Sequence, residues 1–138
     1  MSVLSECRLY GIIDLGYVER GDAARIVEQL IEGGVDLIQL RGKNKSIGEL
    51  ADLAAELHEL AAKSSTPLIV NDHAEIARRV PVEGVHVGQD DDPIEIVRQR
   101  AARNILIGKS THTFQPRIGK LSGASLPGPN SLNTLRNE

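Results

Sequence analysis

Short apolar runs and longer amphipathic stretches alternate along this chain. The runs at 8–14, 35–40, 67–70, 85–87 and 105–107 are rich in Ile, Leu and Val, and each has the length of a buried strand. Between the first two, Ala23, Ile26, Val27, Leu30 and Ile31 recur at three- and four-residue spacing, which puts them on one helical face. Asp22 is placed to cap that helix and Gly33-Gly34 to stop it. Ser46-Ile47-Gly48-Glu49 has the form of a capping box, opening a helix with Ile47, Leu50, Leu53, Ala54, Leu57 and Leu60 on its apolar side. Further helices are predicted around 74–80 and, from the sequence Asp92-Pro93-Ile94-Glu95 (N-cap, N1 proline, N3 glutamate), to about residue 100.

Strands alternating with helices through short links imply βαβ units and a parallel sheet. Two arrangements satisfy that pattern. A doubly wound sheet gathers its chemistry at one switch point, usually behind a glycine-rich phosphate turn after the first strand, and no such turn is present. Here the polar motifs follow strands two, three, four and five alike, as at the C-terminal face of a barrel. The expected fold class is therefore α/β, an incomplete (β/α)8 TIM-type barrel of about five βα units over 1–113. Residues 114–138 are expected to form an irregular or disordered tail, since 122–138 is rich in Ser, Gly, Pro and Asn; within it 115–120 has the look of a helix fragment. A whole barrel needs at least ~200 residues, so about three units are expected to be missing from these 138 residues. A truncated or frame-shifted product and a natural short form both fit. Two open sheet edges would result, inviting a completing chain or a homo-oligomer.

Composition narrows the classes. Nineteen acidic residues against sixteen basic ones give a net charge of −3, with no basic footprint for nucleic acid or an anionic membrane. No apolar run is long enough to span a bilayer. The lone Cys7 has no partner for an internal disulfide and no evident activating neighbour. A cytoplasmic setting is the expectation.

The candidate chemistry sits where the apolar runs stop. In Gln39-Leu40-Arg41-Gly42-Lys43, Gln39 and Arg41 share parity and point to one side of their strand. With Lys43 they suit diphosphate oxygens, or else form a solvated basic strand end paired with acids such as Glu49. Asn71-Asp72 ends the third run. Asp72 is either a metal ligand or, with Glu75, an ordinary capping box, and Asn71 a turn residue. Of Asp90, Asp91 and Asp92, one explains the helix cap, best placed at Asp92. Adjacent carboxylates repel unless a cation or helix N-terminus offsets them, although a solvated acidic turn also fits. Magnesium held by one or two carboxylates and phosphate oxygens is compatible with this set. Ser110-Thr111-His112-Thr113 offers hydroxyls for phosphate or for a helix cap. His58 and His86 lack metal-ligand spacing and read as structural.

In order over 9–113, the landmarks Tyr10-Gly11-Ile12-Ile13-Asp14, Gly33-Gly34-Val35, Gln39-Leu40-Arg41-Gly42-Lys43, Pro67-Leu68-Ile69-Val70-Asn71-Asp72, Gly84-Val85-His86-Val87-Gly88-Gln89 with its acids, and Ile107-Gly108-Lys109-Ser110-Thr111-His112-Thr113 resemble the thiamine phosphate synthase family. The resemblance implies a (β/α)8 barrel that joins hydroxymethylpyrimidine diphosphate to thiazole phosphate with loss of diphosphate, through a pyrimidine-methyl cation. It implies Gln39, Arg41, Lys43, Asn71 and Ser110 as substrate-binding residues, and Asp72 and Asp91 as ligands of Mg2+. The family's later segments, a Thr-x-Thr-Lys-type motif and the glycine-rich loops that bind thiazole phosphate, have no counterpart here. The alternatives are a thiazole tautomerase-like paralogue, which Asn71-Asp72 and the acids after Gly88 fit less well, and an inactive or binding-only fragment that needs a completing partner.

Overall fold

The structure, a computed structural model, describes residues 6–88, 91–111 and 132–136, the last as backbone. Its strands are β1 (Tyr10–Asp14), β2 (Leu37–Arg41), β3 (Leu68–Asn71), β4 (Gly84–Val87), β5 (Leu106–Thr111) and β6 (Leu132–Arg136). They form one sheet in the order β1-β2-β3-β4-β5-β6, and the first five are parallel throughout. Sequential parallel order with no reversal lacks a switch point, which removes the doubly wound alternative. The helices are α1 (Arg20–Glu32), α2 (Ile47–Ala62) and α3 (Ile94–Ala101), with a 3-10 helix at Ala74–Arg78 where an ordinary helix was expected.

The strand register separates two faces. Ile13, Ile38, Leu40, Leu68, Val70, Val85, Val87 and Ile107 share one parity and lie in the apolar core with Val27, Leu50, Leu53 and Leu57 of the helices. Leu57 and Ile38 are wholly buried, and each such side chain contributes roughly 1.5–3 kcal/mol by leaving water. The opposite parity carries Tyr10, Gln39, Arg41, Asn71, His86 and Ser110. The helices cover the apolar face and leave the polar row on the other.

Local signals act much as the sequence suggests, with exceptions. The Ser46 hydroxyl accepts from Glu49 N at 3.1 Å while the Glu49 carboxylate accepts from Ser46 N at 3.0 Å, completing the capping box. That bond engages Glu49, so it is not the acid beside Arg41. Gly34, at φ +90°, ends α1 in a conformation that L side chains rarely adopt. Asp22 does not cap α1: the helix begins at Arg20 behind Glu19, and Asp22 in its first turn pairs with Arg25 at 3.4 Å. Asp92 does not cap α3 either, because the N-cap is Pro93 and the Asp92 carboxylate is taken by an ion pair with Arg100. In the segment expected to be irregular, 132–136 pairs antiparallel with β5 and covers that edge; the rest of 112–138, including the helix fragment expected at 115–120, lies outside the described residues. Its Leu-Asn-Thr-Leu-Arg run is long enough for a strand within a Gly- and Ser-rich stretch.

Two side-chain contacts fasten the N-terminal ends of the strands. Asp36, just before β2, accepts from the backbone N–H groups of Arg8 and Leu9 at 2.8 and 2.9 Å, and these bonds hold its carboxyl below the usual range. Arg78 donates to the carbonyls of Arg100 and Gln99 at 2.6 and 3.0 Å, and Arg103 to those of Ala77 and Val80 at 3.1 and 3.3 Å. This arginine clasp joins the 3-10 helix to α3. Strand β4 approaches β5 so closely at Gly84 that an added Cβ would lie 2.8 Å from the Leu106 carbonyl oxygen. Gly84→Ala should therefore cost about 1–3 kcal/mol by overpacking, read as a lower urea midpoint; an unchanged midpoint would show that the two strands separate easily.

Candidate active site

Most polar side chains of interest lie at or near the carboxyl ends of their strands, while Tyr10 opens β1. Gln39, 2% exposed, stands in the middle of β2, and its amide lies 2.5 Å from the Tyr10 hydroxyl on β1 and 3.0 Å from the Asn71 amide at the end of β3. With the Asn71 nitrogen turned outward, it reaches the two Asp72 carboxylate oxygens at 3.0 and 3.2 Å. On the next two strands, His86 Nε2 and Ser110 Oγ are 2.7 Å apart. His86 is 4% exposed, and its Nδ1 is buried with no hydrogen-bond partner among the described residues. Two sets of buried and half-buried hydrogen-bonding groups thus lie on this face, one across β1 to β3 and one across β4 and β5.

Asp72 has φ +70°, a region that a non-glycine residue enters only under constraint. It makes no cap: the 3-10 helix begins behind His73 with no side-chain capping bond, so the predicted box with Glu75 is absent. Its backbone N–H is held by His86 O at 2.8 Å, which ties the strained residue to β4. Asp91 Oδ2 accepts from Gly88 N at 2.6 Å, fixing the turn after β4. Asp72 and Asp91 line the same hollow of about 230 Å³, with Asp92, Arg100, Ala74, Val87 and Val97. Burial and then the neighbouring Asp91 charge raise the Asp72 carboxyl, while Lys43, His73 and Arg41 partly offset them. Two carboxylates therefore face each other within the field of the rim cations.

Those cations occupy the adjacent cleft, of about 320 Å³, between the loops after β1 and β2. Arg41, Lys43 and Lys45 line it together with Asp14 and Tyr17. Asp14 carries the counter-charge, 3.6 Å from the Arg41 guanidinium, and is itself pinned by Gly16 N at 2.9 Å. Away from the rim, burial and then Asp36 push the Cys7 thiol up, so it is not an activated nucleophile.

The structure thus brings Gln39 and Asn71 into contact, sets Arg41 and Lys43 in one cleft, puts Asp72 and Asp91 in one hollow, and joins Ser110 to His86. Gln89, Asp90, His112 and Thr113 lie outside the described residues, as does the Thr111 side chain. Among the described residues no group of three or more His, Cys, Asp or Glu side chains is arranged to hold a metal; the pair Asp72 and Asp91 is what the hollow offers. Tyr10 and Asp14 enter the sequence reading only within a landmark and His86 as a structural residue; none is assigned to the site there. For two of them the signal was parity: Asp14 is aligned with Arg41 and His86 with Asn71, whereas Tyr10 is aligned with Leu37 and reaches Gln39 along the same face.

Sequential parallel strands, helices on one face, and cations and carboxylates at the carboxyl ends define a chain of the (β/α)-barrel class with its chemistry on that rim. Residues 9–121 match the family model described as thiamine monophosphate synthase, and the chain belongs to that family. It is 43% identical over 111 residues to the thiamine-phosphate synthase of Shouchella clausii, covering 80% of this chain and 53% of that protein. Against the thiamine-phosphate synthase of Chloroflexus aurantiacus it is 42% identical over 112 residues, covering 80% and 51%. Among solved structures, the thiamine phosphate pyrophosphorylase from Pyrococcus furiosus matches with a TM-score of 0.70 and 29% identity, over 82% of this chain and 54% of that one. The chain spans about half the length of the relatives it matches. No helix among the described residues is long and apolar enough to cross a membrane.

Burial and then the Arg41 charge push His86 down from 6.5 to about 4. Its folded value lies below its unfolded one, so its contribution to stability is intact above pH 6.5 and is lost as pH falls from there to about 4. The loss should be on the order of 3 kcal/mol. Thermal melts of wild type and His86→Gln across that window check it: the variant should lose less stability with acid, and parallel curves would assign the acid sensitivity to other groups.

Proposed function

We propose that this chain carries the magnesium–diphosphate part of a thiamine phosphate synthase site. The reaction is the transfer of a pyrimidine-methyl group from hydroxymethylpyrimidine diphosphate to thiazole phosphate, with diphosphate as the leaving group. The observation that carries this reading is the meeting of Asp72 and Asp91, from two different strand ends, in one hollow, within the field of Arg41 and Lys43. Family membership supplies the substrate class.

The donor set fits Mg2+. Asp72 is withheld from capping by its backbone conformation, and two facing carboxylates in a partly buried hollow favour a hard cation that relieves their repulsion. Asp72 and Asp91 would hold the ion, and substrate oxygens and water would complete its shell. When bound, Mg2+ neutralises charge on the diphosphate. Arg41 and Lys43 add the planar fork and the mobile point charge that suit phosphate oxygens. Their effect grows as the leaving diphosphate gains negative charge, which is where preorganised cations lower a barrier. The Gln39 and Asn71 amides and the Ser110 hydroxyl offer neutral hydrogen bonds beside them, and the reaction needs no protein nucleophile.

Isothermal titration of the purified chain with inorganic diphosphate, with and without Mg2+, tests this reading. Binding should require Mg2+. Asp72→Asn and Asp91→Asn should each weaken it at least about tenfold, the scale of one lost charge-assisted contact. Arg41→Gln should weaken it and flatten its salt dependence. Diphosphate binding that ignores Mg2+ and both aspartate changes would refute the proposal.

A further inference from the structure

Tyr10, Gln39, Asn71 and Asp72 form an unbroken hydrogen-bonded line across three adjacent strands. Its spacings are 2.5 Å from Tyr10 to Gln39, 3.0 Å from Gln39 to Asn71, and 3.0 and 3.2 Å from Asn71 to the two Asp72 oxygens. Amides can relay hydrogen bonds in either sense, whereas a carboxylate only accepts. The acid at the end of the line therefore sets its direction. Asn71 Nδ2 donates to Asp72, Asn71 Oδ1 accepts from Gln39 Nε2, and Gln39 Oε1 accepts from the Tyr10 hydroxyl. In the opposite sense Asn71 would aim its own oxygen at the carboxylate, and the Tyr10 proton would lose its place in the line.

We infer that Tyr10 is a positioning residue: by donating to Gln39 it fixes the sense of both amides and so orients the Asp72 carboxylate toward the cation. This deepens the proposed function and rests on Asp72 serving as a metal ligand. A hydroxyl suits the role because burial lifts the Tyr10 phenol to about 12, which keeps its proton in place at neutral pH. Tyr10 touches neither Arg41 nor Asp91 in any bond that the structure records, so it acts through the line. Partners of this outer kind hold a metal ligand's orientation as well as its basicity.

Tyr10→Phe keeps the ring and removes the donor. In a titration of the full chain with Mg2+ at saturating inorganic diphosphate, the variant should bind Mg2+ about tenfold more weakly, the usual scale for losing an outer partner of a ligand, in addition to any fall in melting midpoint from the Gln39 amide left without its partner. Equal Mg2+ affinity in the two proteins would overturn the inference, since a purely packing role moves the midpoint and leaves the affinity alone. Should the variant not melt cooperatively, wild-type NMR decides. Coupling across the hydrogen bond from Asn71 Nδ2 to the Asp72 carboxylate carbon supports the relay, and coupling to the Gln39 side-chain carbonyl carbon overturns it. Wild type that binds no Mg2+–diphosphate would sink the proposed function instead, and the NMR result would then judge the relay alone.

Discussion

Parallel strands pair residue to residue, so the parity of a side chain along one strand decides which side chains on the other strands share its face. In this chain that register puts Ile13, Ile38, Leu40, Leu68, Val70, Val85 and Ile107 under the helices and turns Tyr10, Gln39, Asn71, His86 and Ser110 the other way, beside Leu37 and Ile69. Buried polar groups on such a face must find partners or leave a costly gap. They are satisfied largely by one another, across strands. A one-residue slip would send the amides into the apolar core and the aliphatics onto the polar face. The same register that secures folding therefore also assembles the site.

Charge is arranged on top of that frame. The carboxyl ends of β2, β3 and β4 present cations and carboxylates in neighbouring hollows. Asp14 sits beside Arg41 at 3.6 Å, close enough to steer the guanidinium yet partly exposed, so its hold is modest. An incoming anion can compete for Arg41 without first breaking a buried pair. On the carboxylate side the balance is reversed. Burial and the neighbouring Asp91 charge raise the Asp72 carboxyl, and Lys43, His73 and Arg41 offset this only in part.

Much of the fold was legible because its signals are local and redundant. The capping box at Ser46, the stop at Gly33-Gly34 and the apolar spacing of Leu50, Leu53 and Leu57 are each set within a few residues. The misjudged caps had a different origin. Asp22, Asp72 and Asp92 all have capping chemistry, but α1 starts two residues before Asp22, which pairs with Arg25 one turn on, Arg100 takes Asp92, and backbone conformation withdraws Asp72. The rim residues Gln39, Arg41, Asn71 and Asp72 were readable from where apolar runs end. His86 was not, because a histidine inside a strand has no local mark of function; only its alignment with Asn71 and its reach to Ser110 give it one. The strand at 132–136 was hidden by its setting in a Gly- and Ser-rich stretch.

The arginine clasp at the opposite end of the sheet has an evolutionary side. Among the described residues, Arg78 and Arg103 donate to main-chain carbonyls. Every residue type offers that acceptor, so the joint itself asks nothing of the side chains at 77, 80, 99 and 100, although Ala77 and Val80 answer to the core and Arg100 to its ion pair with Asp92. Two side chains thus relieve their partners of selection for binding them. Selection on the joint falls on two arginines and a backbone path rather than on matched pairs of side chains.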